Sequence, residues 1–392
     1  MSIAIVPHGE RWKDAVEAFN RRMRLGGSPW GWYVEPQPAW LPRRDPSQRL
    51  WIEYWLAVED GDHVRGGYGL KPQDWRVHGK HVVITDWQGP VSEGAISRKY
   101  NSLGLRLVRD MLKKRPLLYS WGHGGDSEPI VMMLRRMGWL VHPTPFALYV
   151  MDGYRFLRLN RQLRTTPERR IALDALAFSG LGPLGLGALR WASARRNASP
   201  LAALRAMRRP RAEAHVVESF GPWADELWHR VKDAYAAIAV RDTASLELMF
   251  PPGWEPPEWS TPTRLRVDRG GRTIGWIAVS AKQMRGDARF GELRVGSLVD
   301  YLAHPEDAGD VIAAGLEHLR GHGVDGRGVD IVIANQSHPA WLRALEDRGF
   351  VLVPGRRLFA ASPALRDALA PFEETRRGLF LTNMDGHGPM GL

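Results

Sequence analysis

At 392 residues the chain is too long for one ordinary hydrophobic core, so two domains are expected. Its 44% hydrophobic and 25% charged residues argue against global disorder and against a polytopic membrane protein, and the absence of Cys excludes disulfides, thiolate metal sites and a cysteine nucleophile. The net charge of +11 is local: residues 155–211 hold 13 Arg against Glu168 and Asp174 as the only acids, which leaves the rest of the chain balanced. Two neutral blocks joined by a basic segment are therefore expected, not a nucleic-acid-binding surface spread over the whole protein.

The N-terminus has no charged stretch followed by a long apolar run, so no signal peptide is expected. Residues 2–6 read as a short strand. From Arg11 to Met23 the spacing of Trp12, Val16, Phe19 and Met23 predicts a helix. A loop rich in Gly, Pro and Trp follows over 25–46. Residues 51–59 and 64–70 read as a hairpin around Asp60-Gly61-Asp62, and 82–88 as a strand. A helix over 102–114 stops at Pro116, and a strand over 117–121 leads into the turn Gly122-His123-Gly124-Gly125. Pro129 can open the next helix and Gly138 close it, before a last strand over 146–151.

Residues 214–392 repeat this order. A strand over 216–220 is followed by a helix over 223–238 and a loop region over 243–262. A hairpin turns at Gly270-Gly271, and a strand runs over 296–302. A helix over 308–322, a strand over 329–333 and a helix over 339–348, ended by Gly349, precede the final strands. The expected domain limits are 1–154 and 214–392, joined by a basic, partly apolar helical linker over 155–213.

The series Gly296–Leu302, Ala303-His304-Pro305, a helix, Val329–Asn335 and then Pro339–Phe350 resembles the GNAT acyltransferase superfamily. The first half shows the same series, ending in Met133-Leu-Arg-Arg-Met-Gly-Trp139. Gly138-Trp139 and Gly349-Phe350 are the paired endings. The resemblance implies an α/β fold of two GNAT-like domains, each a curved mixed sheet flanked by helices. In each, strand 82–88 or 296–302 would splay from the one that follows. It also implies transfer of an acyl group from acetyl-CoA or another acyl-CoA to an amine or hydroxyl, with no metal. The run from Gly124-Gly125 through Pro129, Gly138-Trp139 and Tyr154–Leu157 is similar to acyltransferase-like proteins associated with exopolysaccharide production. Fem-type aminoacyltransferases of cell-wall synthesis share the tandem arrangement more distantly. A saccharide or cell-envelope precursor is the acceptor so implied. The absence of Cys fits a reducing cytoplasm, and the basic linker adds the alternative of a peripheral place at the inner face of the membrane. The alternative is a non-catalytic tandem scaffold of a polysaccharide pathway.

Acyl transfer needs a positioned acceptor and removal of one proton. Under the resemblance the catalytic candidates are Asp86, Glu93 and His123 in the first half and Tyr301 in the second, beside Asp300 and Asn335. In the second half Glu306, Asp307 and Asp310 would repel a pyrophosphate while suiting a helix start. The basic run Arg98-Lys99-Tyr-Asn101-Ser102-Leu-Gly104 is the better coenzyme site, with Trp87 on the preceding strand. The same run can instead be a solvated helix start capped by Asn101 or Ser102. Trp30, Trp32, Tyr33 and Trp40 crowd one loop and offer ring faces to a sugar, or fold onto their own domain.

Two patterns carry no site. Gly180-Leu-Gly-Pro-Leu-Gly185 follows a helix-like run, and Pro183 removes an amide, so no dinucleotide site is expected. His318 with His322, and His78 with His81, lack a third ligand. Residues 171–189 carry one charge, Asp174, between Arg clusters. Three readings follow: helices packed between domains, a segment lying on anionic lipid, or a nucleic-acid contact, the last being disfavoured.

Overall fold

The computed structural model describes residues 2–123, 125–196, 211–255 and 261–390. The chain forms two compact units. One comprises residues 1–142 with 358–372, the other 143–357 with 373–392.

The first unit begins with strand β1 (Ile3–Pro7) and helix α1 (Lys13–Leu25), whose Val16, Phe19 and Met23 are buried at the predicted spacing. Strands β2 (Glu53–Glu59), β3 (His63–Val77) and β4 (Lys80–Ser92) form an antiparallel meander to which β1 adds. β3 is far longer than the predicted 64–70, because the chain continues extended through Lys71-Pro72-Gln73 and turns only at His78-Gly79. Both turn residues have positive φ, 49° and 76°, as a two-residue hairpin with right-handed strand twist requires. Helix α2 (Leu103–Lys114) lays Leu103, Leu107, Val108 and Met111 into the core with Leu70, Trp87 and Leu118. Strand β5 (Leu118–His123) is parallel to β4, and helix α3 (Pro129–Arg136) follows.

The second unit repeats the plan. Strand β6 (Leu140–Val150) leads into helices α4 (Gly153–Leu159), α5 (Pro167–Phe178) and α6 (Leu181–Arg196). Phe156, Leu157 and Ala177 pack with Met284, Phe290, Leu293 and Ile331, so the described part of the basic segment is seated on this unit's core. Strand β7 (Glu213–Val217), helix α7 (Pro222–Val231), strand β8 (Ala237–Ala239) and helix α8 (Thr243–Met249) come next. Here the sequence reading is corrected twice. The helix expected over 223–238 stops at Val231, and the expected loop region holds α8, which Asp242 caps by accepting from the Ser245 amide. Strands β9 (Thr263–Arg269), β10 (Arg272–Gln283) and β11 (Arg294–Ala303) are antiparallel. Helix α9 (Ala308–Gly321) crosses to β12 (Ile331–Asn335), which is parallel to β11. Helix α10 (Pro339–Asp347), strand β13 (Val351–Ala361) and β14 (Leu379–Phe380) follow, while the end of β13 from residue 358 and α11 (Pro363–Ala368) belong to the first unit.

The paired sequence endings have one physical origin. Gly138 and Gly349 have φ of 78° and 91°, and each closes its helix with a left-handed residue. The amide of Trp139 then donates to the Leu134 carbonyl and that of Phe350 to the Leu345 carbonyl, at 3.1 and 3.0 Å. The aromatic ring is thereby returned to the core beside that leucine.

Each unit is completed by a strand from the other half of the sequence. Residues 358–361 of β13 lie beside β5 in the first unit, and β6 pairs antiparallel with β12 in the second through Phe146–Val150. The compact units therefore do not coincide with the sequence limits at 154 and 214.

Candidate active site

In the first unit β4 and β5 pair in parallel at Thr85–Leu118 and Asp86–Tyr119, where their described ladder ends. Both strands run on, β4 to Ser92 and β5 to His123, through the place where a splay is expected. The last rung places Lys71, Asp86 and Tyr119 in one row across three strands, because Lys71 faces Asp86 and Asp86 faces Tyr119. Directly paired residues share a sheet face, so the three side chains do too.

The row is buried and polar. Lys71 is fully buried, with Nζ 3.9 Å from Asp86 Oδ2 and 5.4 Å from the Trp40 ring centroid. Gln88 Nε2 donates to the same carboxylate oxygen at 2.8 Å. Gln73 and Trp75 continue this face of β3 at two-residue spacing. Trp75 meets Tyr119 edge to face, with centroids 5.5 Å apart. Gln73 is 2% exposed, and among the described residues neither its amide nitrogen nor its amide oxygen has a hydrogen-bond partner; nor does Trp75 Nε1. Leaving such groups buried and unpaired costs roughly 1–3 kcal/mol each. A polar ligand on this face would remove that cost.

Only Asp86 of the expected catalytic residues stands in this row. Glu93 does not: it is buried between Arg22 and Arg65, at 3.1 and 3.0 Å, and Arg65 also binds Glu59 at 2.8 Å. A carboxylate held by two guanidiniums is a brace for the loop that follows β4, not an available base. The side chain of His123 and residue 124 lie outside the described residues. Tyr301 belongs to the second unit. It is fully buried, 4.6 Å from the Trp341 ring, with its hydroxyl donating toward the Asn335 carbonyl.

The expected coenzyme residues divide. Trp87 is a core residue, packed 5.8 Å from Trp139. Lys99 binds Glu59 at 3.3 Å, and Tyr100 donates to the same carboxylate at 2.8 Å. Arg98, Asn101 and Ser102 are exposed, the Ser102 side chain caps nothing, and no acid lies in the first turn of α2. The space beside Gly104 is open. The start of α2 is thus accessible, with its positive dipole end and Arg98 nearby.

The aromatic loop is likewise divided. Trp30 and Tyr33 are exposed, Tyr33 stacking on Tyr54 at 4.8 Å. Trp32 and Trp40 are corrected, being buried. Asn20 grips the Trp32 backbone from both sides, and the indole fills the space left by Gly67, whose Cβ would lie 2.8 Å from it.

In the second unit β11 and β12 pair through Val295–Leu298 and Ile331–Ala334, and a bulge opposite Ala278-Val279 precedes Asp300. The chain's own segment 379–390 joins the residues of this splay. Asn383 donates to Ser297 at 3.1 Å and accepts from Asn335, while Arg241 lies between Asp300 and Asp385 at 3.2 and 2.7 Å. Burial pushes the Asp300 carboxyl up to about 6 in spite of Arg241, with Asp385 adding to the rise. At the start of α9 the acids Asp307 and Asp310 are held by Arg269, and Asp310 also by Arg348.

Sequence reasoning missed Lys71, Gln73, Arg241 and Asp385. The predicted strand ended at Leu70, one residue short of the first pair, although Lys71, Pro72, Gln73, Asp74 and Trp75 continue the extended stretch. Nothing in the local sequence marks Arg241 or Asp385, since their partners are 59 and 144 positions from Arg241.

No family model matches the sequence, and no curated protein matches it. Solved structures do match. Saccharomyces cerevisiae N-myristoyltransferase with bound myristoyl-CoA aligns at 12% identity over 92% of this chain and 82% of its own, with a TM-score of 0.51. A protein of unknown function from Enterococcus faecalis, described as a probable N-acyltransferase, aligns at 10% identity over 94% and 74%, with a TM-score of 0.47. At such identities the likeness is one of fold. Among the described residues no group of three His, Asp or Glu is placed to hold a metal ion.

Proposed function

We propose that this protein is an acyl-CoA-dependent acyltransferase whose reaction runs at the splay of the first unit. The observation that carries the reading is the buried row Lys71–Asp86–Tyr119 with the unpaired Gln73 amide, at the point where β4 and β5 part. The acyl-CoA is taken from the fold: the N-myristoyltransferase it resembles was solved with myristoyl-CoA.

In this reading the acceptor nitrogen or oxygen attacks the thioester carbonyl, the carbon–sulfur bond breaks, and Asp86 receives the acceptor's proton. Lys71 stands opposite Asp86, with Nζ 3.9 Å from Oδ2, and flanks the base. The Tyr119 hydroxyl, on the far side of the splay, is the donor to the leaving thiolate. The coenzyme's pyrophosphate lies at the open start of α2 with Arg98. The second unit has a structural role, its splay being joined by residues 379–390.

A saccharide or envelope acceptor now rests on Trp30 and Tyr33 alone, since Trp32 and Trp40 are walls of the unit. The test is calorimetric titration of the intact chain with acetyl-CoA and with longer acyl-CoA thioesters. The expected result is saturable binding that Arg98→Glu weakens about 10-fold. Absence of affinity for every chain length defeats the proposal.

A further inference from the structure

We infer that α5 and α6 form an interfacial anchor that lays the protein on an anionic lipid surface. The inference does not depend on the acyltransferase reading.

Over residues 171–188 the two helices are apolar on the side away from the core. Leu173, Ala177 and Leu186 face inward against Phe146, Leu148, Leu157 and Leu293. The opposite side of α5 carries Ile171, Ala172, Ala175 and Phe178, and that of α6 carries Leu181, Leu184 and Ala188 at helical spacing, all exposed. Ile171, Phe178, Leu181 and Leu184 are each 65–72% exposed. A helix resting on a soluble core ordinarily turns charged residues outward. Here Asp174 is the only charge between 171 and 189, and Arg164 clamps it with two bonds of 2.7 and 2.9 Å. Large apolar side chains exposed on two successive helices mark a candidate interaction site.

The shape selects a surface over a span. Among the described residues no single helix is long and apolar enough to cross a membrane, and α5 and α6 are bent by 82° at their junction. Gly180, with φ of 75°, makes that bend. Two helices of 12 and 16 residues lying in the headgroup region suit this form.

Charge selects the partner. The 13 Arg against two acids in 155–211 attract an anionic surface. Arg169 and Arg170, at the start of α5, are exposed and donate to the Thr165 hydroxyl and the Arg164 carbonyl, with no carboxylate partner among the described residues. Arg158 lies 4.8 and 5.6 Å from the Phe178 and Tyr154 ring centroids, which puts a cation beside two aromatic rings at the rim of the patch. A nucleic acid would use the Arg but leave Ile171, Leu181 and Leu184 in water. A second copy would cover the apolar residues but bring two basic segments together.

The test is flotation of the full chain with phosphatidylcholine vesicles, with and without phosphatidylglycerol. Binding is expected only where phosphatidylglycerol is present, weakened but not abolished by high salt. Combining Ile171→Ser, Phe178→Ser and Leu184→Ser should reduce it at least about 10-fold. Because the chain has no Cys, Phe178→Cys and Val216→Cys can each carry one environment-sensitive fluorophore. A blue shift on vesicles at 178 and none at the equally exposed 216 is expected, and this readout decides if the serine variant does not fold. The inference is overturned by binding that ignores phosphatidylglycerol, by equal shifts at both positions, or by undiminished flotation of a folded serine variant. It is also overturned if wild type does not float but binds RNA or self-associates.

Discussion

Arg241 and Asp300 are both fully buried in the second unit, with Nη2 3.2 Å from Oδ1, and the same guanidinium reaches Asp385 at 2.7 Å. One cation thus serves two carboxylates and ties the C-terminal turn to the central strand. Arg241→Met should leave both acids uncompensated and cost about 3–5 kcal/mol. Chemical denaturation at neutral pH measures it, and a loss below about 1 kcal/mol would contradict the bridging role.

The same cluster sets a pH dependence. Asp300, raised to about 6, binds its proton more tightly folded than unfolded. Its contribution to stability is full below the ordinary carboxylate range near pH 4 and is lost as pH rises through about 6. Asp300→Asn should remove this part of the profile. The difference in unfolding free energy, wild type minus variant, should fall between pH 4 and 6; a flat difference excludes the assignment.

Asp86 faces a functional test. Asp86→Asn keeps the shape of the row and the Gln88 contact but cannot accept the acceptor's proton. Turnover should fall about 100-fold or more while acyl-CoA affinity changes little. Single-turnover kinetics beside titration separates the two effects, and a variant with undiminished chemistry removes Asp86 as the base.

Gly67 is where the aromatic loop meets the sheet. A Cβ there would lie 2.8 Å from the Trp32 ring and 2.9 Å from the Trp55 carbonyl. Gly67→Ala should destabilise by about 1–3 kcal/mol, read as a shift of the denaturation midpoint. An unchanged midpoint would mean the loop is not clamped on β3.

The exchange of terminal strands predicts that neither half folds alone at the sequence limits. A chain ending at residue 154 lacks 358–361, the neighbour of β5, and one starting at 214 lacks β6, the neighbour of β12. Each would expose a sheet edge. Neither should show a cooperative thermal transition by circular dichroism, and a sharp transition in either would show that the exchange is dispensable.

The repeated order of elements was legible because its signals are local. The α1 stripe, the Pro and Gly at the ends of α3 and α10, and the Gly-aromatic endings each act over a few residues, through hydrogen bonds the neighbouring chain makes with itself. The position of Asp86 on β4 was legible for a related reason, because the apolar run 82–88 marks the strand that carries it. Lys71 and Gln73 were not, because they lie beyond the predicted end of the strand and their extended conformation is held by pairing with β4. Trp87 and Glu93 were misread because strand alternation and charge do not tell which neighbours a side chain meets.

By itself the sequence determined a repeated α/β order of elements with matched endings, the concentration of the net charge in 155–211, and the absence of cysteine chemistry. Tertiary structure alone decided that β6 joins the second unit and residues 358–361 the first, that Glu93 is a brace while Lys71 faces Asp86, and that Arg241 holds Asp300 and Asp385. These depend on contacts between residues tens to hundreds of positions apart. Such contacts form only when whole faces are buried together, and no local pattern records which faces those will be.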